Sequence, residues 1–415
     1  MDDGKKTGSP ARAHFRSNLG WGLCLILPII VYLLTGRSDL NWESRIFLAV
    51  SACAVLMWMF RLVAEYVVSI FILIACLTLK IVPATVILTG FTSRAFFLAM
   101  SVFGIGVLLS RSGLIFRIAL LILSFLPSTP FWRNLAVSIL GVAVTPVIPS
   151  ANGRLALIGP MVDKMAGELN YPPRSNGSAR LAMSAYSGFG LMSNFFLTGK
   201  GINFILLGLL SSQFQERFTF FYWMLAAGAA GLIAFWSRFG LAAVLYREEG
   251  QSRIPKTQFR SRLAELGPLS FLEWIALIAA GLFLLGVFTF TIHKIPTAWV
   301  ALLIFFLVLF SGELSKEDFR TKIDWSFLFF LAGLIGFTRA FTHLGLDDRA
   351  ADLLAWGNNL MSANFFLYIL VLSAEVLLIR FILPANAAAA IFCVILLPVA
   401  ELSGINPWVV GFSVL

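Results

Sequence analysis

The sequence predicts an all-α polytopic membrane protein made of inverted-topology repeats, with two re-entrant helical hairpins and an unwound transmembrane helix. Three observations lead there. The 415 residues are 59% hydrophobic and only 13% charged, with a mean hydropathy of +0.89, which leaves too little polar surface to cover a soluble core of this size. The apolar residues gather into runs close to the ~20 residues that cross a bilayer as a helix. One short pattern, Gly-Leu-x-x-Arg, occurs at matching places in the two halves. In hydrocarbon the backbone must satisfy its own hydrogen bonds, which makes helices the default element. The runs are long and uniformly apolar, unlike the alternating segments of a β-barrel.

Residues 1–19 are polar and basic, with Lys5, Lys6, Arg12 and Arg16. They are expected to form a cytoplasmic tail, because the apolar run that follows is too long for a signal peptide. Spans are expected near 20–36, 44–60, 63–83, 95–110 and 219–245 in a first repeat covering 20–245. Others are expected near 271–291, 295–311 and 325–341 in a second repeat covering 271–415. Segment 246–270, with Arg247, Glu248, Glu249, Arg253, Lys256, Arg260, Arg262 and Glu265, divides the repeats as a solvated cytoplasmic linker. The net charge of +10 reads as membrane topology, not nucleic-acid binding. With the N-terminus inside, most lysines and arginines fall on the cytoplasmic face of a plasma (inner) membrane, as the positive-inside rule requires. Cys24, Cys53, Cys76 and Cys393 sit in apolar runs as packing residues, and His14, His293 and His343 are dispersed. No disulfide framework or metal motif is visible.

The repeat rests on spacing. Gly113-Leu114 with Arg117 recurs as Gly345-Leu346 with Arg349, an offset of 232 residues; Pro149 and Asn152 are answered by Pro384 and Asn386, with the asparagines 234 apart. Five crossings fall between the two Gly-Leu-x-x-Arg copies, so the second lies on the opposite side of the membrane. Inverted repeats of this kind place a site at the midplane.

Three apolar stretches are interrupted. In 134–166 a first arm, 134–148, is about 22 Å long and too short to cross. The sequence Pro149-Ser150-Ala151-Asn152-Gly153 is expected to break the helix, and a second arm follows from Arg154. The segment reads as a re-entrant hairpin or as one kinked span. In the hairpin reading Ser150 and Asn152 cap the second arm, whose free N–H groups and dipole suit an anion. Arg154 either aims at the tip or packs on the hairpin face. Segment 364–400 reads as a second hairpin, with helix 364–383, a break at Pro384-Ala385-Asn386 and four alanines after it. In 181–214 the helix is expected to stop after Met192 and to resume at Phe204. Unwound backbone in an apolar segment must line a cavity or be buried in protein. Lys200 there either pairs with a bound anion or snorkels to an interface. The freed carbonyls and Asn203 are candidate cation ligands.

Read together, these segments resemble the divalent anion/sodium symporter family, which carries dicarboxylates, citrate or sulfate. The Trp58–Glu65 stretch resembles its tryptophan- and glutamate-bearing region at the end of a helix. Gly90-Phe91-Thr92-Ser93 resembles its Gly-Phe-Ser-Ser element, and Ser112-Gly113-Leu114 its Thr-Gly-Leu. Gly267-Pro268-Leu269-Ser270 and Ile323-Asp324-Trp325 fit the family order. Ser150-Ala151-Asn152 and Ala385-Asn386-Ala387 fall where the family has Ser-Asn-Thr at two hairpin tips, and Thr198–Asn203 where it has Gly-Thr-Pro-Pro-Asn.

The resemblance implies a homodimeric, elevator-like secondary transporter of small anions, with sodium as coupling ion and no cofactor. Together with the reading of the interrupted stretches, it gives expected substrate contacts from Ser150, Asn152, Gly153, Lys200, Asn203, Asn386 and Ala387, and expected sodium contacts from Ser150, Asn152, Gly199 and Asn386. Two departures bear on the mechanism. Neither Ser-Asn-Thr is intact, and Arg154 and Lys200 add positive charge where the family pattern is neutral, so they are candidates to replace sodium. Proton coupling or exchange is therefore the alternative, and a non-transporting membrane protein is a more distant one. The family pattern continues past the equivalent of Leu415, so a C-terminal truncation is expected. An intramembrane enzyme would need convergent catalytic groups, and the scattered Glu65, Glu273 and Glu375 do not supply them.

Overall fold

The computed structural model describes residues 10–247, 255–353, 363–402 and 404–415. Lys5 and Lys6 of the tail, and Glu248, Glu249 and Arg253 of the linker, lie outside the described residues. Among those described there are α-helices and short 3-10 turns, and no strand. Apart from the short helices Ala84–Ile87, Ser212–Arg217 and Phe290–His293, the helices are α1 (Pro10–Leu34), α2 (Trp42–Phe60), α3 (Glu65–Thr78), α4 (Arg94–Ser112), α5 (Leu114–Phe125), α6 (Pro130–Val144), α7 (Ala151–Glu168), α8 (Asn176–Phe189), α9 (Gly201–Leu209) and α10 (Phe220–Leu245). There follow α11 (Lys256–Glu265), α12 (Phe271–Phe288), α13 (Thr297–Phe310), α14 (Lys316–Thr321), α15 (Trp325–His343), α16 (Leu346–Leu353), α17 (Phe365–Arg380), α18 (Ala385–Leu402) and α19 (Pro407–Val414).

Among the described residues seven helices are long and apolar enough to cross a membrane: α1 from Ser17, α2, α4, α10, α12, α15 and α18. The shorter apolar helices α3, α5, α6 and α13 accompany them. Large apolar side chains such as Leu25, Ile233, Phe310 and Phe381 are exposed, the condition of a surface meant for lipid. The protein is an all-helical, polytopic membrane protein.

The chain divides into two compact units. One contains Met1–Phe96, Ile205–Ser211 and Trp325–Leu415; the other contains Phe97–Phe204 and Ser212–Asp324. In the first, α15 is the centre. A Cβ on its Gly336 would lie 1.9 Å from the Ile87 carbonyl oxygen, so the helix and the 84–92 turn meet at backbone contact, the close approach that small residues permit. Phe47 stacks on Phe337 with ring centroids 5.1 Å apart, and Trp58 meets Phe330 edge-on at 6.0 Å.

In the second unit α6 and α8 approach as closely. A Cβ on Gly188 would lie 2.0 Å from the Ser138 carbonyl oxygen, and the Ser138 hydroxyl donates to Ser184 O at 2.8 Å. The linker is more structured than its composition suggested. It carries α11, whose Phe259 is buried, whose Lys256 Nζ donates to Phe125 O at 3.1 Å, and whose Arg262 pairs with Glu168. Phe259 is the one buried residue of this mostly polar helix. Arg117 closes the linker's far end: Nε and Nη2 grip Glu273 at 2.6 and 3.1 Å, and Nη1 donates to Gly267 O at 2.8 Å.

Candidate functional site: helix breaks filled by arginines

The first interrupted segment breaks at Thr145–Ser150, earlier than the Pro149–Gly153 expected. Ala151, Asn152 and Gly153 are instead the first turn of α7. Ser150 is the N-cap, and its hydroxyl accepts from Gly153 N at 3.1 Å. That bond is why the residues that looked like breakers became helical: a serine cap satisfies an otherwise orphaned N–H. Ser150 and Asn152 are exposed within their unit. The third interruption also lies earlier than expected, at 190–200 instead of 193–203. α8 ends at Phe189, a 3-10 turn covers Leu191–Asn194, and Asn203 already belongs to α9.

Arg154 joins these two breaks. It is completely buried, and all its partners are neutral oxygens. Nε donates to Phe189 O at 2.9 Å, Nη1 to Gly199 O at 2.8 Å and to Ile148 O, and Nη2 to Ser193 Oγ at 2.6 Å. The Ser193 hydroxyl in turn donates to Gly190 O. Phe189 is the last residue of α8, so its carbonyl carries the negative end of a helix dipole and favours a cation. The guanidinium, with donors in a rigid fork, fits several carbonyls that one round ion would also attract. Of the two placements left open by the sequence, the second is found, with Arg154 packed into protein.

The loop 190–200 is held from the other side by Asn203, which is fully buried. Its Nδ2 donates to Ser193 O at 2.9 Å and Phe196 O at 2.8 Å, while its Oδ1 is buried with no hydrogen-bond partner. Thr198 Oγ1 donates to Pro146 O, tying this loop to the first break. A Cβ on Gly199 would lie 2.4 Å from Ser193 O, so the loop closes only around glycine. Lys200 is half-buried at the foot of α9. Arg154 thus holds Gly199 directly and meets Asn203 through Ser193, whereas Ser150 stays at the exposed start of α7. Two oxygens expected to hold sodium are already engaged: Gly199 O by Arg154, Ser150 Oγ by Gly153 N.

The other unit holds the second break. α17 ends at Arg380, residues 381–384 are not helical, and α18 begins at Ala385. The helix stops earlier than the expected Leu383. Asn386 lies in the first turn of α18, and its Nδ2 donates to Glu65 Oε2 at 3.2 Å; Ala387 is fully buried. Arg380 Nη2 donates to Val414 O at 2.6 Å and to Leu415 O at 2.9 Å.

Among the described residues no cluster of three or more His, Cys, Asp or Glu could hold a metal ion. Polar groups thus gather at interrupted helices within an otherwise apolar helical body, that of an integral membrane protein. The chain belongs to the sodium:sulfate symporter family, whose transmembrane-region description matches residues 17–415. It is similar to the inner membrane protein YbhI of Escherichia coli K12, at 24% identity over 82% of this chain and 74% of that protein. It is also similar to the citrate/succinate antiporter of the same organism, at 26% identity over 69% of this chain and 60% of the antiporter. The L-tartrate/succinate antiporter of Shigella sonnei matches at 26% identity over 64% of this chain and 56% of its own length. The chain spans about three fifths of the antiporters it matches.

Proposed function

We propose that the protein is a secondary carrier of small dicarboxylate-type anions that works by exchange, with Arg154 supplying the fixed positive charge that a coupling cation would otherwise bring. The observation that carries this is the buried guanidinium at the first helix break, bonded to Phe189, Gly199 and Ile148 carbonyls. A charge inside hydrocarbon is costly unless compensated. A loaded site, in which anion and guanidinium balance, crosses more easily than an empty one. An empty carrier with a permanent cation must therefore wait for another anion, which is exchange. Two matched relatives named as antiporters support the same reading.

In this reading the interrupted stretches are re-entrant hairpins and an unwound span of two inverted repeats. The family likeness supports anion contacts from Ser150, Asn152, Gly153, Lys200 and Asn203 in one unit and from Asn386 and Ala387 in the other. The family likeness supports a homodimer in the plasma membrane, with a cytoplasmic N-terminus and an elevator-like moving part. A second reading, sodium-coupled symport, is favoured by one observation. Asn203 Oδ1 is a buried oxygen with no donor, and hard cations take such oxygens.

Proteoliposomes loaded with unlabelled succinate, citrate or tartrate and diluted into labelled succinate in choline buffer test the proposal. Uptake is expected only when a counter-anion is inside. Sodium-driven uptake into anion-free vesicles, with no counterflow, would establish symport in its place.

A further inference from the structure

The second helix break contains a contact that exchange does not by itself require. Asn386 sits just before the fully buried Ala387–Ala390, and its amide donates to the Glu65 carboxylate at 3.2 Å. Glu65 stands in the first turn of α3. That helix is a firm support: Ser69 Oγ donates to Phe330 O at 3.4 Å, and a Cβ on Gly333 would come within 2.5 Å of Ser69 Cβ, so α3 and α15 leave each other little room. Asn386, by contrast, follows the non-helical residues 381–384. A carboxylate accepting from this amide is chemically what a carboxylate substrate would be in the same position.

Resting on the exchange reading above, we propose that Glu65 is a tethered carboxylate that occupies the Asn386 amide while no substrate is bound. An incoming dicarboxylate displaces it, and without one the second break stays fastened to α3. Glu65 then acts as a positioning residue. It competes for a substrate ligand and holds the empty carrier still, a second barrier to unloaded movement beside the cost of the Arg154 charge. An acid at a helix start also stabilises the helix through its dipole. That role alone would alter stability and leave binding and coupling unchanged.

The test compares wild type, Glu65→Gln and Glu65→Ala as full chains. Anion affinity is read from the melting midpoint over a concentration series of whichever of succinate, citrate or tartrate stabilises the wild type most. Efflux of the same labelled anion from proteoliposomes into anion-free buffer is read in parallel. The Glu65→Ala variant is expected to bind about tenfold tighter, the size of one charge-assisted hydrogen bond, and to release its load several-fold faster. Glu65→Gln, which keeps an acceptor without the charge, should fall between and guards against a misfolded alanine variant. Folded variants with unchanged affinity and unchanged efflux would overturn the tether and leave exchange standing. Absence of counterflow in the wild type would instead overturn exchange, and the affinity series would still decide on the tether.

Discussion

At Arg154 three backbone carbonyls and a hydroxyl converge on one fully buried side chain. Substituting alanine leaves the carbonyls of Ile148, Phe189 and Gly199 without donors, and each unsatisfied buried group costs about 1–3 kcal/mol. Arg154→Ala is therefore expected to lower stability by about 3–5 kcal/mol, the range for dismantling a buried charge network, and to abolish counterflow. Arg154→Lys keeps the charge, but a single ammonium cannot reach acceptors spread across a fork. It should retain part of the stability and little transport. Melting midpoints of purified protein, measured beside counterflow rates, check both. The sequence could name Arg154 as an unpaired charge in an apolar segment. It could not choose between the tip and the interior, because the answer depends on carbonyls supplied by residues 189–199. Asn203 was named for its oxygen, yet its amide nitrogen does the structural work, leaving Oδ1 in reserve.

Most spans were legible to within a few residues because long apolar runs with little charge admit one structure in a membrane, but α1 begins at Pro10, inside the expected polar tail. The breaks were legible in kind and displaced in place. Proline and glycine announced an interruption near 149–153, but the Ser150 cap drew Ala151–Gly153 into α7. The interruption near 200 began at Gly190, where α8 ends against α6. That contact gives a direct test: Gly188→Ala places a methyl about where the Ser138 carbonyl oxygen stands. Overpacking of this kind costs about 1–3 kcal/mol, so the melting midpoint should fall while Gly159→Ala, with open space around it, changes little. Outside the spans, α14 depends on a capping box in which Asp318 N donates to Ser315 Oγ at 3.1 Å and Ser315 N donates to Asp318 Oδ2 at 3.1 Å, with the Ser315 hydroxyl adding a third bond to Oδ2 at 2.5 Å. The Ser315 hydroxyl and backbone N–H, with Arg111 and Lys322 nearby, hold the Asp318 carboxyl below the usual carboxylate range. A depressed folded-state value stabilises the fold above the ordinary carboxylate pKa, and the contribution fades as pH falls through the lower one. Wild type should thus lose stability below about pH 4 more steeply than Asp318→Asn, whereas near neutrality the variant should be the less stable of the two. A melting series in pH reads both.

Over the whole chain, the Gly-Leu-x-x-Arg pattern proved to mark a shared backbone event. Gly113 and Gly345 both have positive φ, +77° and +65°, and each introduces a helix after an apolar span. Glycine adopts that geometry without strain, so both positions favour it. The arginines of the pattern diverged: Arg117 grips Glu273 and the linker, whereas Arg349 is exposed. The grouping of the first helices with the last was not legible, because apolar helices carry no label for their partners. The central claim is that a guanidinium stands where a coupling cation would otherwise act. Its most direct test is succinate counterflow in wild-type proteoliposomes with all sodium replaced by choline. The account predicts an unchanged rate in choline. A rate that falls to background in choline and recovers in proportion to added sodium would contradict it.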